Sequence, residues 1–129
     1  TGFGLLGHLG EMLDSSQPNI QVILDSEAIP SYEGCLELFQ KGFASSLAPA
    51  NRKAWNRLKE YDNNKQQIKF STKPSDELLE LLVDPQTCGP LLIACQADLA
   101  ESLVLQTPLI RIGEVVDSDQ SMDGLGAAE

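Results

Sequence analysis

Apolar residues recur along this chain at two spacings, one typical of helices and one typical of strands. A first helix is predicted over residues 4–15, because its apolar residues lie on one helical face: Leu5, Leu6, Leu9, Met12 and Leu13. The alternating, β-branched stretch 20–24 predicts a strand. By the same criteria, further helices are predicted over residues 32–40, 49–58, 75–83 and 97–106, and further strands over 68–71, 91–95 and 109–116. Ser75 is expected to cap the helix that follows it, and residues 62–64 are expected to form a loop.

The order of these elements indicates the fold class. Helices separate the strands, the connections are long and no tight hairpin dipeptide joins two predicted strands, so we expect a mixed sheet layered with helices, of the α/β (α+β) class. The stretch 91–95 is apolar on both faces, which predicts a central buried strand with Cys95 as a small buried residue. The 129 residues, 42% of them hydrophobic, suffice for one domain, assigned to residues 1–116 with a loose polar tail over 117–129.

The charge of the chain narrows the choice of partners. A net charge of −10 disfavours nucleic acid and anionic membrane, because a phosphate surface is bound by positive potential. Seven of the nine basic residues nevertheless fall between residues 51 and 73. This basic segment is either a solvated helix face with a loop or a contact with an anion or a subunit.

Cysteine and histidine usage bears on metal binding and on location. The chain has three widely spaced cysteines, Cys35, Cys88 and Cys95, and one histidine, His8, so a zinc site is not expected. Cys88 lies in a turn and its redox role stays open. No signal peptide and no apolar run of membrane-spanning length is visible, and we therefore expect a reducing, cytoplasmic location.

The strongest candidate for chemistry is the stretch Thr1-Gly2-Phe3-Gly4 ahead of the first helix. Glycines permit close approach of the backbone, and the first N–H groups of a helix can bind an anion such as phosphate. The stretch lacks the lysine and the serine or threonine of a nucleotide P-loop, so close packing of two backbone segments is the alternative explanation. We expect the chain to be part of a longer protein, with its function at this edge.

The other polar residues give weaker indications of a functional site. His8 and Glu11 are three residues apart and can share a helical face, but no nucleophile can be paired with a base, so no catalytic residue is assigned. A second turn, Thr87-Cys88-Gly89, could lie beside the first glycine stretch. Asp25 and Glu27 follow a strand and are left unassigned.

Two stretches together resemble the signature segments of one enzyme family. TGFGLLGHL at residues 1–9 and DPQTCGPLLIA at residues 84–94 are similar to the DVTGFGLLGH and DPQTSGGLLIA segments of selenide, water dikinase, also called selenophosphate synthetase. An IGEV segment at residues 112–115 also resembles that family. Three departures are Cys88 in place of serine, Pro90 in place of the second glycine, and the stretch 47–55, which follows the family only loosely. Because proline lacks an N–H group, this chain has no amide donor at position 90.

The resemblance implies the superfamily of aminoimidazole ribonucleotide synthetase, whose members join an N-terminal ATP-binding domain to a C-terminal α/β domain and are usually homodimers. This chain matches the C-terminal domain. The family reaction converts ATP, selenide and water to selenophosphate, AMP and phosphate with magnesium. The family's reactive cysteine or selenocysteine, its lysine and its magnesium aspartates belong to the N-terminal domain, so the resemblance gives this chain no catalytic residue and no metal ligand.

From the resemblance we expect this chain to complete the ATP site of its N-terminal domain, to be inactive alone and to bind no cofactor alone. The residues expected near the phosphates or at the domain interface are Thr1, Gly2, Gly4, His8, Thr87 and Gly89. The alternative is a stand-alone phosphate-binding or protein-interaction module of the same fold. The sister synthetases, which act on amidine or carbamoyl substrates, are a minor option because Phe3 replaces their middle glycine and they lack the DPQT turn.

Overall fold

The computed structural model describes residues 2–16, 19–58 and 67–117. Its helices are α1 (Gly4–Asp14), α2 (Cys35–Gln40), α3 (Ala48–Asn51), the 3-10 helix Arg52–Leu58, α4 (Asp76–Val83) and α5 (Ala97–Gln106). Its strands are β1 (Ile20–Leu24), β2 (Ile68–Phe70) and β3 (Gly113–Asp117). The loop predicted around residues 62–64 and the tail beyond residue 117 lie outside the described residues, and the single-domain assignment stays a prediction.

The three strands form one mixed sheet in the order β2-β1-β3. β1 pairs with β2 in parallel, with Val22 opposite Ile68. It pairs with β3 in antiparallel fashion, with Val22 opposite Val115. The expected mixed sheet with helices is therefore confirmed, with β1 as its central strand.

The core lies where α1 and α4 meet this sheet. Its buried residues are Leu6, Leu9 and Leu13 of α1, Leu78, Leu82 and Val83 of α4, Val22 and Leu24 of β1, and Ile68 of β2. The helical stripe predicted for α1 is confirmed, except that Met12 is exposed. Burial of this stripe removes apolar surface from water and gives α1 its place on the sheet.

Helix ends follow local chemistry. Ser75 caps α4 as predicted, because its hydroxyl accepts a hydrogen bond from the N–H of Leu78 at 3.2 Å. α2 begins at Cys35, three residues later than expected, after Gly34 in a left-handed conformation with φ +76°. The single helix predicted over 49–58 is divided into α3 and a 3-10 helix.

The predicted central strand over residues 91–95 is wrong. The structure assigns these residues to no strand, and Leu91, Ile93 and Cys95 are exposed. Both edges of β1 are already hydrogen-bonded to β2 and β3, so the central position is taken by β1. Of this stretch, Leu92 packs against the core. An apolar run does not by itself distinguish a strand from an irregular segment, because a strand also needs hydrogen bonds to a neighbouring strand, which local hydrophobicity does not specify.

The last two elements are also less buried than their sequence suggests. α5 forms as predicted, but its apolar residues Leu99, Val104 and Leu105 are exposed. β3 begins at Gly113, four residues later than predicted, and it includes Asp117, which the sequence analysis had wrongly assigned to the tail. None of the helices in the described ranges is long and apolar enough to span a membrane.

One pair of matched substitutions measures this difference between the core and α5. Leu82 is 1% exposed and Leu105 is 85% exposed. We expect Leu82→Ala to lower the free energy of unfolding by about 2–5 kcal/mol, because it removes buried methyl groups and leaves a cavity. Leu105→Ala should change it by less than about 0.5 kcal/mol. Urea unfolding followed by circular dichroism measures the free energy of unfolding of both variants. Equal decreases would contradict the assignment of Leu82 to the core and of Leu105 to the surface.

Candidate functional site

The structure brings the two glycine-containing stretches together. The N–H of Gly2 donates a hydrogen bond of 3.2 Å to the carbonyl oxygen of Gln86. Residues 2–4 and the turn that follows α4 therefore lie side by side, as the sequence suggested they could. The site is built on two elements of the core, α1 and α4, which hold the turns on a packed scaffold.

Gly4 serves close packing. It is buried at the start of α1 with φ +71°. A Cβ atom at this position would lie 2.5 Å from the carbonyl oxygen of Leu82 and 2.6 Å from the Cα of Val83. Real Cβ atoms essentially never approach backbone so closely, so only glycine allows α1 to begin against the end of α4. At Gly4 the structure therefore shows close packing of two backbone segments, which was the alternative to anion binding in the sequence analysis.

Gly2 has a different environment. Its φ is +86°, and no atom lies within 4 Å of the position a Cβ would occupy. The turn therefore needs glycine for its backbone conformation, and the space beside it is open. A ligand can approach the backbone at Gly2, whereas the corresponding side of Gly4 is filled by α4.

The start of α1 is electropositive through its backbone. No side chain caps this helix among the described residues, and its first turn carries no acidic residue. The aligned peptide dipoles place partial positive charge at this end, where the first N–H groups point out of the helix. This arrangement favours an anion, and it does so without a basic side chain.

Asn51, which the sequence analysis did not single out, joins the two stretches. Its side-chain amide donates hydrogen bonds to the carbonyl oxygen of Gly2 at 2.7 Å and to that of Val83 at 3.0 Å. It is the last residue of α3. No local pattern predicts this contact, because its partners are backbone groups 49 and 32 residues away.

Two arginines of the basic segment are bound within the chain. Arg52 forms two hydrogen bonds of 2.9 Å with the carboxylate of Glu80 and lies 5.6 Å from the ring centre of Trp55. The hydrogen bonds with Glu80 raise the pKa of Arg52 above its ordinary value, so its charge is retained. Arg57 binds Asp14 at 2.7 Å and Gln67 at 2.6 Å. The positive charges of these two arginines are therefore paired with carboxylates of the same chain.

The other residues predicted for the site are His8, Thr87, Gly89 and Thr1. His8 and Glu11 share a face as predicted, with 3.0 Å between Nδ1 and Oε2, and the ring of Phe3 lies 5.6 Å from that of His8. Thr87 and Gly89 are exposed in the second turn. Thr1 lies outside the described residues.

Metal and thiol chemistry find little support in the part of the chain that the structure describes. No group of three or more histidine, cysteine or acidic side chains within it could hold a metal ion. Cys88 is exposed and Cys35 is half-buried, and neither forms a disulfide. The Asp25 carboxylate accepts a hydrogen bond of 3.0 Å from the N–H of Glu27 and so belongs to a turn.

Comparisons with known proteins agree with one another. The chain is similar to a selenide, water dikinase of Caldanaerobacter subterraneus, with 41% identity over 103 residues, which cover 80% of the chain and 26% of that protein. It is 34% identical to that of Clostridium botulinum strain Eklund 17B, covering 91% of the chain and 32% of the relative. It is 35% identical to that of Escherichia coli strain K12, covering 90% and 31%. The chain thus spans about a quarter to a third of the curated relatives it matches. No family model matches it.

Alanine at each of three positive-φ glycines separates backbone strain from close packing. Gly2→Ala and Gly34→Ala should each lower the free energy of unfolding by about 1–2 kcal/mol. At both positions the added methyl group meets no atom, so the only cost is that alanine must adopt a left-handed backbone conformation. Gly4→Ala should lower it by about 2–5 kcal/mol, because the added methyl group also collides with α4. Denaturant unfolding of the three variants tests this order. A Gly4→Ala loss no larger than the other two would contradict the close packing.

Proposed function

The chain belongs to the selenide, water dikinase family, and on this premise we propose that it is the C-terminal domain of a selenophosphate synthetase. In this proposal it completes the ATP and phosphate site of an N-terminal domain and forms no selenophosphate alone. The full-length enzyme would convert ATP, selenide and water to selenophosphate, AMP and phosphate. We further propose that it is a cytoplasmic homodimer formed through the N-terminal domains.

One observation carries this proposal. The stretches that resemble the family's two signature segments are far apart in sequence, yet the Gly2 N–H donates directly to the carbonyl of Gln86. A shared surface is expected if both segments serve one site. That surface includes the electropositive start of α1, which suits the phosphate groups of a nucleotide.

The chemical role we propose for this chain is to bind and orient phosphate. Since the Gly2 N–H is already bound to Gln86, the donors we assign to a phosphate oxygen are the N–H groups that follow it at the start of α1. Donors held in place before the reaction stabilise charge on transferring phosphoryl groups without reorganisation. The described residues do not fit a magnesium site of their own, so no step is assigned to magnesium on this chain.

Phosphorus NMR tests the assignment directly. With selenide and magnesium-ATP, we expect the full-length enzyme to form selenophosphate, AMP and orthophosphate, and the 129-residue chain alone to form none. The physical reason is that the described residues offer backbone donors, whereas the resemblance places the family's reactive cysteine or selenocysteine, its lysine and its magnesium ligands in the N-terminal domain. Product from the chain alone, or no product from the full-length enzyme, would contradict the proposal.

A second measurement tests the turn itself in the full-length enzyme. Gly2→Ala changes the turn beside the proposed phosphate, so we expect kcat/KM for ATP to fall about tenfold or more. Gly34→Ala is the matched control, since it has the same positive φ and open space but lies at the start of α2. Equal ATP kinetics for the two variants would show that the turn does not face the nucleotide.

A further inference from the structure

The side-chain amide of Asn51 makes contacts that fix its orientation. Both of its partners, the carbonyl oxygens of Gly2 and Val83, can only accept hydrogen bonds. The NH₂ group must therefore face them, and its two protons match the two acceptors. At 2.7 Å and 3.0 Å, both contacts have good hydrogen-bond lengths.

Gly2 is consequently held through both of its peptide groups. Its N–H is bound to Gln86 and its carbonyl to Asn51. With φ +86° and open space at its Cβ position, Gly2 has no packing on that side. The two hydrogen bonds therefore fix the Gly2 end of the turn, while Gly4 is fixed by its packing against α4.

Asn51 is tied to α4 as well as to the turn. Its own side-chain amide reaches Val83, the last residue of α4. The carbonyl of Val83 lies in the last turn of α4, where carbonyl groups lack partners within the helix. Asn51 therefore takes its position from α4 and transmits it to the turn.

We propose that Asn51 is a positioning residue that sets the orientation of the Gly2–Gly4 turn toward the nucleotide. The effect on catalysis rests on the proposed function, whereas the ordering of the turn does not. Asn51 would touch neither ATP nor selenide and would act only through the Gly2 carbonyl. Removing its donors would leave two carbonyls unpaired and release the turn.

The test uses three variants of the full-length enzyme. Asn51→Asp keeps the shape of the side chain but replaces the donor with an oxygen that faces two carbonyl oxygens. Asn51→Ala removes the group. Arg52→Met is the matched control, because it breaks the neighbouring ion pair with Glu80 of α4 and leaves both hydrogen bonds of Asn51 in place. Hydrogen exchange of the peptide that contains Gly2–Gly4 and ATP kinetics are measured for each, together with thermal unfolding.

We expect exchange at Gly2–Gly4 to rise about tenfold in both Asn51 variants, the effect of one lost hydrogen bond, and to stay within about twofold of wild type in Arg52→Met. We expect kcat/KM for ATP to fall about tenfold with the KM for selenide unchanged. Unchanged exchange in the Asn51 variants, or equal changes in Arg52→Met, would overturn the proposal.

The two proposals fail in different ways. If exchange rises but ATP kinetics do not change, Asn51 orders the turn and the proposed contact with nucleotide is wrong. If exchange does not change while wild-type enzyme forms selenophosphate, the proposed function stands and the role of Asn51 is overturned.

Discussion

The close approach of α1 to the end of α4 is the constraint on which the rest of this structure depends. Gly4 leaves no room for a Cβ atom between the two backbones. Because α1 begins there, its apolar stripe meets the stripe of α4 and the face of the sheet. The same approach brings Gly2 beside Gln86 and within reach of Asn51. Packing and the candidate site therefore have one common origin.

Much of the first part of the fold could be predicted from the sequence. The stripe of α1, the alternation of β1 and the cap at Ser75 are local patterns, and each of them gave an element close to its observed position. The stretch 91–95 was mistaken because its burial depends on a pairing partner, which local hydrophobicity does not specify. Asn51 could not be found from spacing, since two backbone carbonyls from distant segments bind it.

The positions of the charged side chains and of the peptide groups at the start of α1 explain how so acidic a chain could bind a phosphate. With a net charge of −10, its overall potential repels anions. Arg52 and Arg57, two residues of the basic segment, are bound to Glu80 and Asp14. The proposed donors are instead peptide groups at a helix end, whose effect is short in range and directional. Such a site discriminates by geometry more than by attraction at a distance.

The topology of the sheet has a consequence for the order of folding during synthesis. β1 spans residues 20–24, whereas its antiparallel neighbour β3 spans residues 113–117. A ribosome must therefore deliver nearly all of the described chain before the central strand acquires its second partner. Until then, one edge of β1 is open to pairing with other strands. Contacts of such long sequence separation slow folding, and an unpaired strand edge is prone to misassembly until its partner is synthesised.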